Sequence, residues 1–424
     1  MLRLLVCQMT PEAEIRRRIQ QKGAITFAEF MEVALFWPPG GYYLSAEPFG
    51  ASGDYYTSPM THPAFGALLA VQLFQMWLVM GRPRPFTVVE LGAGNGLLCR
   101  DIVAYTHHLA PEFRQTLRYV CLDRRAAWGA DREVGASRLA ASSIPLRGVR
   151  GCFLTNEFLD AFPVHQVRLD QGRLREVYVT LHGDALTETL AEPSTPALAA
   201  RLERLGVALV EGQTAEVNLG LDDWAAEVAA ALDAGFVLSI DYGQPAAELY
   251  SASLRPRGTL TTYYRHIQTD APLRRVGQQD MSAQVDFTSV INSGRQAGIE
   301  PLGFTTQGQF LNNLGLVRHF RRKLMSLGLA PRELQDNLVG MLDLIRPTGL
   351  GNFKVLAQGK GVGQPRLWGF EPSAEAEEVL SRLPMPRLTP QHLALLAGRY
   401  PQGEYELTLE ELGDWDVDRT TGGE

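Results

Sequence analysis

The sequence predicts an α/β fold: a mostly parallel sheet with helices on both faces, preceded by an N-terminal helical and lid region and interrupted by inserted β-hairpins. Three observations predict it. The run Thr87-Val88-Val89-Glu90-Leu91-Gly92-Ala93-Gly94-Asn95-Gly96-Leu97-Leu98 reads as buried strand, glycine turn and helix start. Further short apolar strands recur at 118–122, 151–155 and 235–240, alternating with helical stretches. Residues 167–190 instead alternate around Gly172 and Gly183, the pattern of hairpins.

The elements follow in order. Residues 11–21 form a charged helix with Ile15 and Ile19 at i, i+4 spacing, ended by Gly23. Thr26 with Glu29 makes a capping box for a helix that stops at Trp37-Pro38-Pro39-Gly40-Gly41. The segment 41–59 is rich in Tyr and Gly without either period, as expected of a lid or binding loop. A helix over 63–80 carries a core stripe of Phe65, Leu68, Leu69, Gln72, Leu73 and Met76. After the glycine turn, the strand 118–122 ends at Asp123, and 130–143 reads as helix and loop. The strand 151–155 leads into Asn156-Glu157. Helices are expected at 196–205, 222–232, 286–297 and 308–327, and strands at 302–305 and 353–358. The basic run Arg318 to Lys323 reads as a solvated helix face. The organisation is then an N-terminal region 11–80, a core 81–360 with an insertion about 166–220, and an appended segment 361–424 holding one further helix near 389–397.

Composition narrows the function. The chain has 424 residues and a formal net charge of -7, which excludes a broad electrostatic grip on nucleic acid. The four cysteines (Cys7, Cys99, Cys121, Cys152) show no metal-type spacing, so no metal is expected and a reducing compartment is. No apolar run has membrane-spanning length, and Leu4 to Cys7 is too short for a signal-peptide core. A cytoplasmic protein is the expectation.

The glycines at 92, 94 and 96 do not fit a dinucleotide fingerprint, and no Lys-Ser/Thr follows for a P-loop. An acidic residue two before the first glycine, then G-x-G-x-G, resembles motif I of class I S-adenosylmethionine (SAM)-dependent methyltransferases. Further motifs accompany it in order: Gly41-Tyr42-Tyr43, Gly53-Asp54-Tyr55-Tyr56-Thr57-Ser58-Pro59, Asn156-Glu157-Phe158-Leu159-Asp160-Ala161-Phe162-Pro163-Val164-His165, Ile240-Asp241-Tyr242-Gly243, Arg257-Gly258-Thr259-Leu260, Gln284-Val285-Asp286-Phe287-Thr288 and Asn352-Phe353-Lys354-Val355-Leu356. Together they resemble the MidA family over about residues 15–360. The chain departs from that family at Met60 and Leu350, where the family carries Glu.

The resemblance implies a Rossmann-like class I methyltransferase using SAM, with methyl transfer to a protein arginine and a respiratory complex I subunit as partner. It implies a cofactor site of Glu90, Gly92, Ala93, Gly94, Gly96, Asp123 and Asn156, roofed by Tyr55 and Thr57. A carboxylate at Asp123 is suited to accept from both ribose hydroxyls. Glu157 and Asp160 are the catalytic candidates, since carboxylates can hold a guanidinium bidentately. Asp241 and Asp54 stand in reserve, Asn156 is equally a helix cap, and His165 reads as structural. The missing acidic residues at 60 and 350 keep open a SAM-binding assembly factor with weak or no catalysis, and a small-molecule methyltransferase is the other alternative.

Overall fold

Seven strands build the central sheet of the computed structural model, which describes residues 9–44, 56–125, 136–264 and 267–399. They are β1 (Phe86–Leu91), β2 (Leu117–Asp123), β3 (Ala136–Ala140), β4 (Val149–Asn156), β5 (Leu232–Asp241), β6 (Glu300–Thr306) and β7 (Lys354–Lys360). Their spatial order is β3-β2-β1-β4-β5-β7-β6. All contacts from β3 to β5 are parallel, and β7 runs antiparallel to both neighbours. The strand order reverses at β1, whose successors lie on one side and β4 on the other. The crevice outside the carboxyl ends of β1 and β4 is therefore where a ligand binds in such a sheet.

Helices α1 (Pro11–Lys22) and α2 (Phe27–Phe36) precede the sheet, and α2 starts as expected with the Thr26 hydroxyl accepting Glu29 N–H at 3.1 Å. Helix α3 (Ala64–Val79) is buried almost all round rather than along one stripe. The reason lies downstream. Gln72 Oε1 accepts Gly369 N–H and Gln75 Oε1 accepts Trp368 N–H, both at 2.8 Å, so the chain after β7 covers the helix's outer side. Helix α4 (Leu97–Tyr105) shares that face of the sheet, and α5 (Gly220–Ala231) and α6 (Phe287–Gln296) cover the other.

Two expectations are corrected. The described part of 130–143 contains β3, not a helix: Tyr119↔Ala136 to Asp123↔Ala140 pair in parallel at the sheet edge, where the ladder supplies what local propensity does not. The stretch 308–327 is not one helix. It breaks into α7 (Gln307–Asn313), a π-helical turn Leu316–Arg321 and a short helix Arg322–Ser326. Gly315 at φ +91° interrupts it, and a Cβ there would meet His319 at 2.7 Å. The basic run turns onto the tail: Arg318 and His319 pair with Glu377, and Lys323 donates to Ser381 O at 2.9 Å, at the end of α9, which follows α8 (Pro331–Ile345) and spans Ala374–Arg382.

The hairpins form a second sheet of His165–Asp170, Arg173–His182, Ala185–Ala191 and Thr214–Val217, joined by Ile25–Thr26 from the N-terminal region. A further excursion after β5 makes a three-stranded sheet of Thr261–Tyr264, Ile267–Thr269 and Asp280–Ser282. Met281 and Val179 join the apolar cluster of α1 and α2, so both excursions pack on the N-terminal helices. The last helix, α10 (Pro390–Arg399), returns to α4, where His392 meets Asp101 at 3.1 Å and Leu395 packs on Leu97 and Met60. Among the described residues, no helix is long and apolar enough to cross a membrane.

Candidate active site

The glycine turn is held from three sides. Gly92, Gly94 and Gly96 have φ of +68°, +49° and +75°, a region closed to most side chains. Gly92 N–H donates to Leu122 O at 2.9 Å, and Gly94 N–H donates to Asp123 Oδ2 at 3.2 Å. Asp123 Oδ1 accepts Arg125 N–H at 3.0 Å. Burial pushes this carboxyl up, against the pull of those N–H groups. Ala93 is buried in the turn, and Asn95 Oδ1 caps Leu97 N–H at 3.0 Å at the start of α4. The turn, Asp123 and the first turn of α4 thus surround one crevice.

Glu90 takes a different place. By strand alternation it shares the face of Val88, and its Oε2 accepts the Tyr119 hydroxyl at 2.8 Å beside Cys99 and Cys121. Burial pushes its carboxyl up to about 8. It props the turn from within the core.

The register Leu91↔Thr155 and Ile240↔Asn156 sets the end of β4 between the turn and the end of β5. Glu157 follows with φ +49°, its N–H donating to Ile240 O at 2.9 Å. Its Oε1 accepts Ser58 N–H and Asn156 Nδ2, each at 3.1 Å. Asn156 Oδ1 is buried without a partner. The aromatic loop therefore does reach the site: Thr57 is buried beside Ser58, and Ser58 Oγ donates to Gln307 Oε1 at 3.0 Å. Tyr55 and Asp54 lie outside the described residues. Burial pushes the Glu157 carboxyl up to about 8, and the charge of Asp241 adds to the push.

Asp241 is a positioning residue. Its Oδ2 accepts Phe158 N–H at 3.0 Å and Leu159 N–H at 2.9 Å, and its Oδ1 accepts Tyr242 N–H at 2.9 Å. Asp160 lies beyond it, 9% exposed, with Oδ1 unpartnered. Burial and then the charges of Asp241, Asp280 and Glu157 push its carboxyl well above the usual range. His165 sits in the inserted sheet with Nδ1 2.7 Å from Glu176 Oε1, a structural pair. Among the described residues, no Lys, Arg or His forms an ion pair with Glu157, Asp160 or Asp241.

Sequence reasoning missed Ser58 as the donor to Glu157, and it missed Asp280, whose Oδ1 accepts the Tyr43 hydroxyl at 2.6 Å. Asp280 belongs to no motif; only the antiparallel pairing Tyr263↔Asp280 brings it to the site. Met60 faces an apolar cluster with Leu97 and Leu395, so this position anchors the Ser58 turn to α4 and α10.

Comparisons with known proteins agree with this geometry. Residues 68–305 match a family described as "Putative S-adenosyl-L-methionine-dependent methyltransferase". The mouse protein arginine methyltransferase NDUFAF7, mitochondrial, is 28% identical over 380 residues, 81% of this chain and 83% of its own. The Drosophila melanogaster homolog is 28% identical over 395 residues, covering 82% and 84%. A methyl transferase-like protein from Burkholderia thailandensis, solved with S-adenosyl-homocysteine, superposes with a TM-score of 0.75 at 29% identity over 85% of this chain and 94% of that one. The NDUFAF7 relatives are mitochondrial proteins, which overturns the expectation of a cytoplasmic one. The cofactor fits the residues present: Gly92, Gly94 and Gly96 hold left-handed backbone at the turn, both Asp123 oxygens keep acceptor capacity beside it, and Asn156 Oδ1 is buried without a partner at the end of the neighbouring strand. From the sheet order, the glycine crevice and the match over residues 68–305, this chain belongs to the S-adenosyl-L-methionine-dependent methyltransferase family.

Proposed function

We propose that the chain transfers a methyl group to the guanidinium of an arginine in a protein. The observation that carries this reading is the set of buried carboxylates beside the glycine crevice, Glu157, Asp160 and Asp241, with no basic partner among the described residues. Burial holds these carboxyls toward their neutral form, and a cation entering beside them favours the carboxylate. Arginine supplies one that stays protonated at every working pH and donates planar, paired hydrogen bonds. The arginine acceptors of the relatives support the same choice.

In this reading Gly92, Ala93, Gly94 and Gly96 admit the amino-acid part and ribose of SAM, Asp123 accepts the ribose hydroxyls, and Glu90 supports the turn. Each Asp123 oxygen keeps acceptor capacity beyond its one backbone bond. SAM, when bound, supplies a methyl on a sulfonium. Asn156 holds Glu157 through its amide nitrogen and offers Oδ1 to the crevice. Glu157, fixed through Oε1, presents Oε2 to the guanidinium, orients one nitrogen and takes the proton that leaves it as the N–C bond forms and the S–C bond breaks. Asp160 supports the cation from the other side. Thr57, buried beside Ser58, belongs to the roof. Residues 11–80 act as the N-terminal helical and lid region, 81–360 as the catalytic body with its insertion about 166–220, and 361–424 as a C-terminal segment whose residues 366–369 pack on α3. A respiratory complex I subunit is the first acceptor to test.

The experiment is methylation of whole-cell extract with methyl-labelled SAM, followed by hydrolysis of the labelled product. Labelled methylarginine in protein is the expected result. Label confined to RNA, to metabolites or to residues other than arginine refutes the reading.

A further inference from the structure

The carboxyl edge of the sheet sends one more side chain toward Glu157, from the far end of the strand order. Lys354 pairs with Asp241 on one side and with Thr306 on the other, so Gln307 follows β6 at the same edge at which Glu157 follows β4. Gln307 is fully buried, and its own N–H donates to Phe353 O at 2.7 Å. Its Nε2 donates to Leu344 O at 2.9 Å, in the last turn of α8. A carbonyl only accepts, so the amide is oriented: Oε1 faces Ser58, and the Ser58 hydroxyl must donate to it, at 3.0 Å. The next bond along runs from Ser58 N–H to Glu157 Oε1, at 3.1 Å.

The helical turn Ser58–Thr61 is thus held at both ends by residues 307–345. At its far end His62 Nδ1 accepts Ala64 N–H at 3.0 Å, so Nε2 carries the proton and donates to Asn337 Oδ1 of α8 at 3.1 Å. A Cβ on Gly340 would stand 2.7 Å from Thr61 O, so α8 lies directly against the turn. Gln307 supplies the hold at the Ser58 end. The charged groups that face Glu157 are acids: Asp241 from β5 and Asp160 from its own loop. The turn adds no charge, because burial keeps the His62 ring neutral, with its pKa down to about 3. Lys354 turns its ammonium to Asn352, 3.0 Å from Oδ1. Burial and Asp241 both favour the neutral carboxyl of Glu157, and the Ser58 N–H is the strongest pull toward the carboxylate, ahead of the Asn156 amide.

We propose that Gln307 is a positioning residue for Glu157: through the Ser58 hydroxyl it seats the 58–61 turn so that one backbone N–H meets the carboxylate that takes the proton. This rests on the reading of Glu157 as the proton acceptor in methyl transfer, and it places control of that group on α7.

The test follows Glu157 directly, in the full chain with S-adenosyl-homocysteine bound. The infrared band of a protonated carboxyl that is lost in Glu157→Gln is titrated against pH. Ser58→Ala removes the hydroxyl and keeps the N–H, and Gln307→Met removes the acceptor at similar length. Either should move the midpoint of that band up by about one pH unit, the order of one hydrogen bond to a charged group. Below the midpoint kcat/KM should fall about tenfold with it, while SAM affinity stays within about twofold of wild type. Trp368→Ala is the control for lost stability: it should unfold more easily and leave the midpoint in place. The proposal is overturned if Ser58→Ala and Gln307→Met keep or lower the wild-type midpoint, or if Trp368→Ala raises it equally. Should Gln307→Met fail to fold, Ser58→Ala decides alone. Should the wild-type protein bind SAM and methylate no arginine, the arginine reading fails, while the infrared midpoint still decides the positioning role.

Discussion

Replacing Gly92 with Ala tests how the glycine turn and the carboxylate loop are joined. A Cβ on Gly92 would stand 2.5 Å from Phe158 Cδ2, and the backbone there has φ +68°. The left-handed conformation costs an L-residue roughly 1–2 kcal/mol. Displacing a packed ring adds about 1–3 kcal/mol. Phe158 cannot yield alone, because its N–H is held by Asp241 and it follows Glu157 directly. Gly148 is the control: its φ is +66° and a Cβ would meet nothing within 4 Å, so Gly148→Ala bears the backbone cost only. The difference between the two variants isolates the ring. Gly92→Ala should therefore lose about 1–3 kcal/mol more stability in urea unfolding than Gly148→Ala. Calorimetric titration should also show SAM affinity falling by about tenfold or more, since each 1.4 kcal/mol is a factor of ten, and kcat should fall with it. The reasoning is refuted if the two variants unfold alike and Gly92→Ala keeps wild-type SAM affinity and turnover.

Three more outcomes are expected. Glu157→Gln should cut kcat by about 10²–10⁴ while SAM still binds; because the carboxyl is pushed up to about 8, wild-type kcat/KM should rise with pH toward that value as the carboxylate forms, and this rise should vanish in the variant. Glu90, also pushed up to about 8, keeps its proton in the folded chain and loses it in the unfolded one over the range from the usual carboxyl value up to about 8. Stability should therefore drop as pH climbs through that window, by about 1.4 kcal/mol per unit from this group, and Glu90→Gln should flatten the drop in unfolding midpoints measured between pH 5 and pH 8; an unchanged slope would show that Glu90 ionises freely. Trp368 is 2% exposed against α3, so Trp368→Ala should cost about 3–5 kcal/mol in denaturant unfolding, and a loss under about 1 kcal/mol would mean that the segment after β7 is not part of the core.

Local chemistry is what the chain alone determined. The strand, glycines and helix of residues 87–98 are contiguous, and their conformations follow from side chains within a few residues; the same is true of the Thr26 cap and the strand ending in Asn156-Glu157. From these the sheet type and the cofactor class were legible. Pairing across distance was not. β3 looks helical by composition and becomes a strand because β2 offers it an edge. Helix α3 reads as amphipathic and is buried all round because residues 366–369, almost three hundred positions later, hydrogen-bond to Gln72 and Gln75. Asp241 looks like one more acid, yet three backbone N–H groups make it the clamp that shapes the Glu157 loop. Asp280 carries no local signal and reaches Asp160 only through strand pairing. A sequence states which charges exist; burial and register decide which of them face one another, and therefore which are pushed toward neutrality.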